Sequence, residues 1–246
     1  MKKKVTIVIT ALALVLCFAI GGTLAWLQDS TQTVTNTFTY GDINITLTET
    51  DSDDVDNDAN NNSYKMVPGG TISKDPKVTV EENSEACWLF VQIVEGGSVK
   101  IGDEEYTFDD FLTYAIKEGW TLLSDTTETG GSIVTDKTVD STLVIYREVN
   151  ENDAKNGKEY YVLGGHKTDC NGCVKVKDTV TKQMMNAIDG KDADGNEAPA
   201  ELNARPTLTF TAYAVQSANL TDQDNDNDVD AADAWAIIES SSTGSN

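Results

Sequence analysis

Apolar and polar residues alternate in short runs along most of this chain. Ile43, Ile45 and Leu47 alternate with Asp42, Asn44, Thr46 and Thr48, the period-two pattern of a half-buried strand. With a partner just before it, this makes two short strands within 34–48. Lys77–Glu81 repeats the pattern, with Val78 and Val80 inward. The run CWLFVQIVE at Cys87–Glu95 is apolar on both faces, which places it centrally in a sheet. Further strands are expected at Trp120–Leu123, Thr142–Glu148, Glu159–Leu163 and Val174–Lys177. The long run Thr207–Gln216 carries Leu208, Phe210, Ala212 and Ala214 on one face.

Three stretches read as helix. Phe111, Leu112, Ala115 and Ile116 fall at helical spacing within Phe108–Trp120, with Asp109 and Asp110 in the first turn and Gly119 after the last. Thr179–Ile188 forms a second short helix, stopped by Asp189-Gly190, and Ala231–Ile238 a third. Many alternating strands with few helices predict a mainly β fold, a jelly-roll-like antiparallel β-sandwich with two or three short helices.

The N-terminus differs from the rest. Lys2, Lys3 and Lys4 precede an uncharged apolar run from Val5 to Ile20; Gly21-Gly22 breaks it, and Thr23-Leu24-Ala25 supplies small residues at −3 and −1. This layout predicts a secretory signal peptide over 1–25, cleaved after Ala25 by signal peptidase. The run is shorter than the roughly 20 residues of a spanning helix, so no stable membrane span is expected after processing. Residues 26–246 then form one domain, with an exposed acidic loop at 49–63 where apolar residues are scarce.

The formal charge is −23, and −26 once the three leader lysines are removed. Such a surface repels nucleic acid and anionic lipid and attracts cations. Cys87, Cys170 and Cys173 remain in the mature chain. Cys170-Asn171-Gly172-Cys173 places an Asn-Gly step between two cysteines, which suits a two-residue hairpin and a local disulfide in an oxidising compartment. Half a zinc site with His166 is the alternative, but no fourth ligand is evident. Cys87 reads as a buried thiol. A single histidine, with no HExxH and no GxSxG, argues against an enzyme.

The sharpest local chemistry is acidic. Counted from Asp222, oxygen-bearing residues occupy positions one, three, five, seven, nine and twelve: Asp222, Asp224, Asp226, Asp228, Asp230 and Asp233. These are the ligand positions of a loop that wraps one calcium ion. Position seven binds through its carbonyl, Asn227 tolerates the positive φ of position six, and Val229 at position eight is expected to tie the loop to the core. The stretch resembles the calcium loop of dockerin modules, which also end on Asp. A dockerin carries two loops and this chain one, so a cohesin-type partner is not implied. The alternative is a solvated acidic turn at the start of a helix, favoured by the helix dipole.

A second resemblance spans more of the chain. Gly21-Gly22-Thr23-Leu24-Ala25-Trp26-Leu27-Gln28-Asp29-Ser30 and Thr35-Asn36-Thr37-Phe38-Thr39-Tyr40-Gly41-Asp42-Ile43 resemble the start of the TasA/camelysin family. Val67-Pro68-Gly69-Gly70 with Lys74-Asp75-Pro76, Ala212-Tyr213-Ala214-Val215-Gln216 and Ala234-Trp235 fit the same pattern. The resemblance implies a SipW-type signal peptide and a jelly-roll domain exported to the cell surface. It also implies assembly into biofilm-matrix fibres, in which the N-terminal segment of one subunit adds as a strand to the next. Roughly Leu27–Tyr40 is the candidate donor here. Camelysins were also described as metallopeptidases, which the residues of this chain do not support. The expected function is a secreted surface or matrix structural protein that self-associates or joins other matrix proteins. The alternative is a monomeric extracellular calcium-dependent binding module.

Overall fold

The computed structural model describes residues 28–32, 35–37, 43–50, 62–124, 133–134, 142–165, 172–192, 195–196, 205–223 and 228–243; for 28–32, 35–37 and 133–134 only the backbone is described. Every strand pair is antiparallel. The strands are β1 Gln28–Gln32, β2 Thr35–Thr37, β3 Ile45–Thr48, β4 Thr71–Ser73, β5 Lys77–Val80, β6 Cys87–Gly96, β7 Ser98–Ile101 and β8 Glu104–Thr107. They continue with β9 Leu112–Ala115, β10 Thr121–Leu122, β11 Ile133–Val134, β12 Thr142–Val149, β13 Lys158–Tyr161, β14 Cys173–Val176 and β15 Thr207–Gln216. Four helices lie among the described residues: α1 Phe108–Phe111, α2 Glu151–Asn156, α3 Lys182–Ile188 and α4 Ala231–Thr243.

The largest sheet has six strands in the order β10-β12-β6-β15-β1-β2. A four-stranded sheet runs β11-β9-β14-β4, a three-stranded sheet β13-β5-β3, and β7 and β8 form a separate hairpin. One contiguous core joins them. Leu89, Val91 and Ile93 of β6, Leu143 and Ile145 of β12, and Phe210, Ala212 and Ala214 of β15 form the inner face of the large sheet. They meet Ile45, Val78, Val80 and Tyr160 of the three-stranded sheet, and Leu112, Tyr114, Val174 and Val176 of the four-stranded one. This is the expected antiparallel β-sandwich.

The apolar character of β6 on both faces has a direct cause. The strand is central, paired along its length with β15 and over eight residues with β12. Its odd-numbered residues enter the main core. Its outer face carries Phe90, which with Val215 packs against Ala231, Ala234 and Ile238 of α4 in a second cluster. Trp235 completes the contact, with its ring 5.3 Å from Phe90 and 5.6 Å, nearly perpendicular, from Tyr213. The C-terminal helix therefore covers part of the outer sheet face.

The inner face also takes two charged residues. Glu95 continues the inward row of β6, and Tyr114 Oη donates to its Oε1 at 2.6 Å. Burial, and then the Glu95 charge, push the Tyr114 phenol well above its ordinary pKa. Arg147 sits in the inward row of β12 between Ile145 and Val149, its guanidinium 4.0 Å from the centroid of Tyr160 and 5.4 Å from that of Trp120. The two rings cover the cation where a partner carboxylate would otherwise be needed.

One predicted helix is corrected. Only Phe108–Phe111 is helical, and Leu112–Ala115 is β9. The helical spacing of Phe111, Leu112, Ala115 and Ile116 hid an equally good strand pattern. Leu112 and Tyr114 point to the core, and Thr113, Tyr114 and Leu112 pair with β14. The bond from Tyr114 to Glu95 and the pairing with β14 outweigh a weak local preference. The third predicted helix is longer than expected, running to Thr243.

Candidate functional sites: the N-terminal strand and the acidic turn

Two places inherit the functional expectations. The first is the outer edge of β15. All ten residues of β15 pair with β6, but β1 covers only part of the opposite edge, from Gln28↔Val215 to Thr31↔Ala212. β2 folds back on β1, with Ser30↔Thr37 to Gln32↔Thr35. The proposed donor segment thus lies within its own chain's sheet, as a short hairpin appended to one edge. Among the described residues, no strand pairs with that edge of β15 from Thr207 to Thr211. Phe38, Thr39 and Tyr40 lie outside the described residues, as do residues 1–25, where a signal peptide cleaved after Ala25 is expected.

The second place is the turn before α4. Asp233 is 1% exposed, the most deeply buried carboxylate among the described residues. Its Oδ1 accepts the backbone N–H of Gln223, and its Oδ2 accepts that of Asp230 at 2.9 Å. Asp230 in turn accepts the N–H of Ala232 at 2.7 Å. Asp230 thus caps α4 through the Ala232 amide, while Asp233 in the first turn reaches back to the Asp230 amide as in one half of a capping box. The Gln223 contact adds a second function: one carboxylate ties the entry of the turn to its exit, and an anion at the helix N-terminus suits the dipole.

Of the six expected calcium ligands, Asp222, Asp228, Asp230 and Asp233 are described, while Asp224 and Asp226 lie outside the described residues. Asp228 Oδ1 accepts the N–H of Val229 at 2.8 Å. Among the described residues no three acidic, histidine or cysteine side chains converge as a metal site. The geometry on hand is that of a helix cap. A carboxylate oxygen that accepts one N–H keeps a second lone pair, so capping and cation binding by Asp230 and Asp233 are chemically compatible. Val229 departs from expectation: it is 46% exposed and does not tie the turn to the core. Leu220, Ala231, Ala234 and Ile238 make that contact instead.

The cysteines divide as follows. Cys87 is a free thiol, fully buried at the start of β6, and burial pushes its pKa up to about 12. Cys173 is disulfide-bonded. A Cys170–Cys173 link requires this; Cys170 and His166 lie outside the described residues. A disulfide sulfur is no thiolate ligand, so Cys173 does not serve the zinc alternative. The expected Asn171-Gly172 turn falls partly outside the described residues; β14, which follows it, pairs with β4 on one side and β9 on the other. Gly172 packs against the Lys74 backbone, and its carbonyl accepts the Lys74 N–H at 2.9 Å. A Cβ on Gly172 would lie 2.4 Å from the Lys74 carbonyl oxygen, so the position has no room for a side chain.

Sequence reasoning missed two elements that carried readable signals. Asn150 caps α2 by accepting the Asp153 N–H at 2.9 Å, and Gly157 with φ +72° ends it. The β7–β8 hairpin turns on Gly102-Asp103, with Gly102 at φ +66°. Among the described residues, no helix is long and apolar enough to cross a membrane.

Residues 1–84 match the family model described as camelysin metallo-endopeptidase, about a third of the chain. The matched stretch includes β1 to β5 and stops before β6. No curated protein and no solved structure matches the chain.

Proposed function

We propose that this chain is a secreted structural protein of the cell surface or biofilm matrix, which polymerises when its N-terminal strand moves to a neighbour. The family match over residues 1–84 is the premise for the compartment and the biofilm setting. The observation that carries the assembly step is the way β1 is held. It contributes four register pairs at the sheet edge, directly after the expected processing site, and among the described residues no strand pairs with the edge of β15 beyond it. Moving β1 to a second copy would replace backbone hydrogen bonds with identical ones. The exchange then costs little enthalpy and is decided by protomer concentration. An edge strand of this kind is the usual route of strand addition.

The metallo-endopeptidase named by the family model is not the reading taken, because the chain has one histidine and no HExxH pair. The test is light scattering of the mature chain with and without residues 27–40. Large elongated species that vanish on deletion, while circular dichroism of the remainder stays β-rich, support the proposal. A monomer at all concentrations with the segment intact overturns it.

A second reading, a monomeric calcium-dependent binding module, is favoured by the spacing of Asp222 to Asp233. In that reading calcium joins the Asp233 clamp and holds the turn closed. Calorimetry in calcium and in chelator tests it, with Asp226→Ala as the variant. Binding lost in the variant supports the module; no heat of binding to the wild-type chain removes it.

A further inference from the structure

A cavity of about 570 Å³ opens between the inner face of the large sheet and the four-stranded sheet, beside α3. This volume lies in the range of small-molecule pockets. Its walls hold Met66, Ile72, Met185 and Leu208, apolar side chains that pack against the core yet remain only half-buried. A sandwich normally closes such residues between its sheets, so their remaining apolar surface faces the cavity.

The polar chemistry at the cavity wall is already complete. Lys74 is buried, and its Nζ lies 2.8 and 3.1 Å from the two carboxylate oxygens of Glu49. Tyr64 Oη donates to the same carboxylate at 2.7 Å. The ammonium also lies 5.0 Å from the centroid of Tyr64 and 5.4 Å from that of Phe210. Two aromatic faces and a carboxylate make a cage for an ammonium ion, and the chain fills it with its own lysine. At the rim Arg205 pairs with Asp189 at 3.0 Å. A ligand with a full charge would therefore have to break an existing pair, and an anion would also approach against a net charge of −23.

We propose that this cavity is a binding site for an uncharged, chiefly apolar small molecule carrying one hydrogen-bonding group. The apolar body would lie against Met66, Ile72, Met185 and Leu208, and a hydroxyl or amide would meet the Glu49–Lys74 pair. This inference does not depend on strand exchange or on calcium.

The test is titration of the mature chain with N-phenyl-1-naphthylamine, a neutral apolar fluorophore, followed by competition with decanol, decanoate and decylamine. Saturable binding at one site is expected, with displacement by decanol at lower concentration than by either charged analogue. Leu208→Trp and, separately, Met185→Trp place an indole in the cavity and should weaken binding by about tenfold or more. A neutral diazirine-bearing amphiphile provides a check on the unmodified chain, and should label peptides containing Met66, Met185 or Leu208. Absence of saturable binding overturns the proposal. So does labelling confined to the outer aromatic face around Trp88, Tyr146 and Tyr213, or binding unchanged in a folded variant. Preferential displacement by decanoate or decylamine refutes the uncharged class.

Discussion

Replacing Lys74 with Met tests whether the cage is a structural necessity. The side chains of Lys74 and Glu49 are 10% and 12% exposed, so both charges are largely removed from water. Deleting one member of a buried pair costs about 3–5 kcal/mol, because the remaining charge loses its compensation. The lower end applies here. The Tyr64 hydroxyl still donates to Glu49 after the change, and the adjoining cavity gives water a route to the carboxylate. A loss of about 3 kcal/mol corresponds to a fall in melting temperature of about 6–12 °C for a chain of this size. The double variant Lys74→Met/Glu49→Leu removes both charges and should recover to within about 1 kcal/mol of the wild type. Urea denaturation of the wild type, both single variants and the double variant completes a cycle whose coupling term isolates the pair. If Lys74→Met costs less than about 1 kcal/mol and the double variant does no better than the singles, the pair behaves as a surface ion pair and the reasoning fails.

Three further outcomes follow from the geometry. Trp235→Ala removes two aromatic contacts worth about 1–3 kcal/mol together, so α4 amides should exchange about a hundredfold faster in hydrogen-exchange mass spectrometry while β6 keeps its protection; equal loss in β6 would show that helix and sandwich open as one unit. Cys87, with its thiol pushed up to about 12 by burial, should resist alkylation at pH 8 until denaturant is added. Its contribution to stability should hold below about pH 9 and decline as pH rises towards 12, because only the unfolded thiol ionises in that window. Asp153 is held below the usual carboxylate range, first by its bond from Lys158 at 2.6 Å. Asp153→Asn should therefore cost at most about 1 kcal/mol at pH 7, and the difference from wild type should begin to fade near pH 4 and be lost as pH falls through the lowered folded pKa; a difference undiminished at pH 2 would assign the cost to packing.

Much of the framework was readable because it follows from local periodicity. Thr207–Gln216 emerged as one strand at its observed limits, and the two-faced character of Cys87–Glu95 placed β6 at the centre of the sheet. The second helix ends at Ile188, where Asp189-Gly190 stops it, though it begins at Lys182 rather than Thr179; the third begins at Ala231 as expected. The errors arose where a distant residue decided the outcome. Leu112–Ala115 became a strand because β14 and Glu95, far away in sequence, offered it partners. Val229 has the identity of a core residue, but Ala231 and Ile238 take the space against Phe90 and Val215. The Lys74 cage joins residues from three separate stretches, and no spacing rule connects Glu49, Tyr64 and Phe210. The acidic turn was legible as chemistry, while its use of Asp233 as a two-ended clamp needed the fold.

The central position of β6 has a consequence for the order in which the molecule is built. A ribosome delivers the chain from its N-terminus, so Cys87–Gly96 emerges before either of its partners. β12 follows some fifty residues later, β15 about 120 residues later, and the helix that shields Phe90 last of all. During that interval the most apolar strand of the chain has no native edge partner, and its outer face has no cover. Long-range pairings of this kind close slowly and leave unpaired strands exposed to other chains. The arrangement that gives the finished sandwich its core therefore makes nascent chains dependent on holding factors, and pausing or truncation between residues 97 and 206 should yield aggregates where the full-length chain folds.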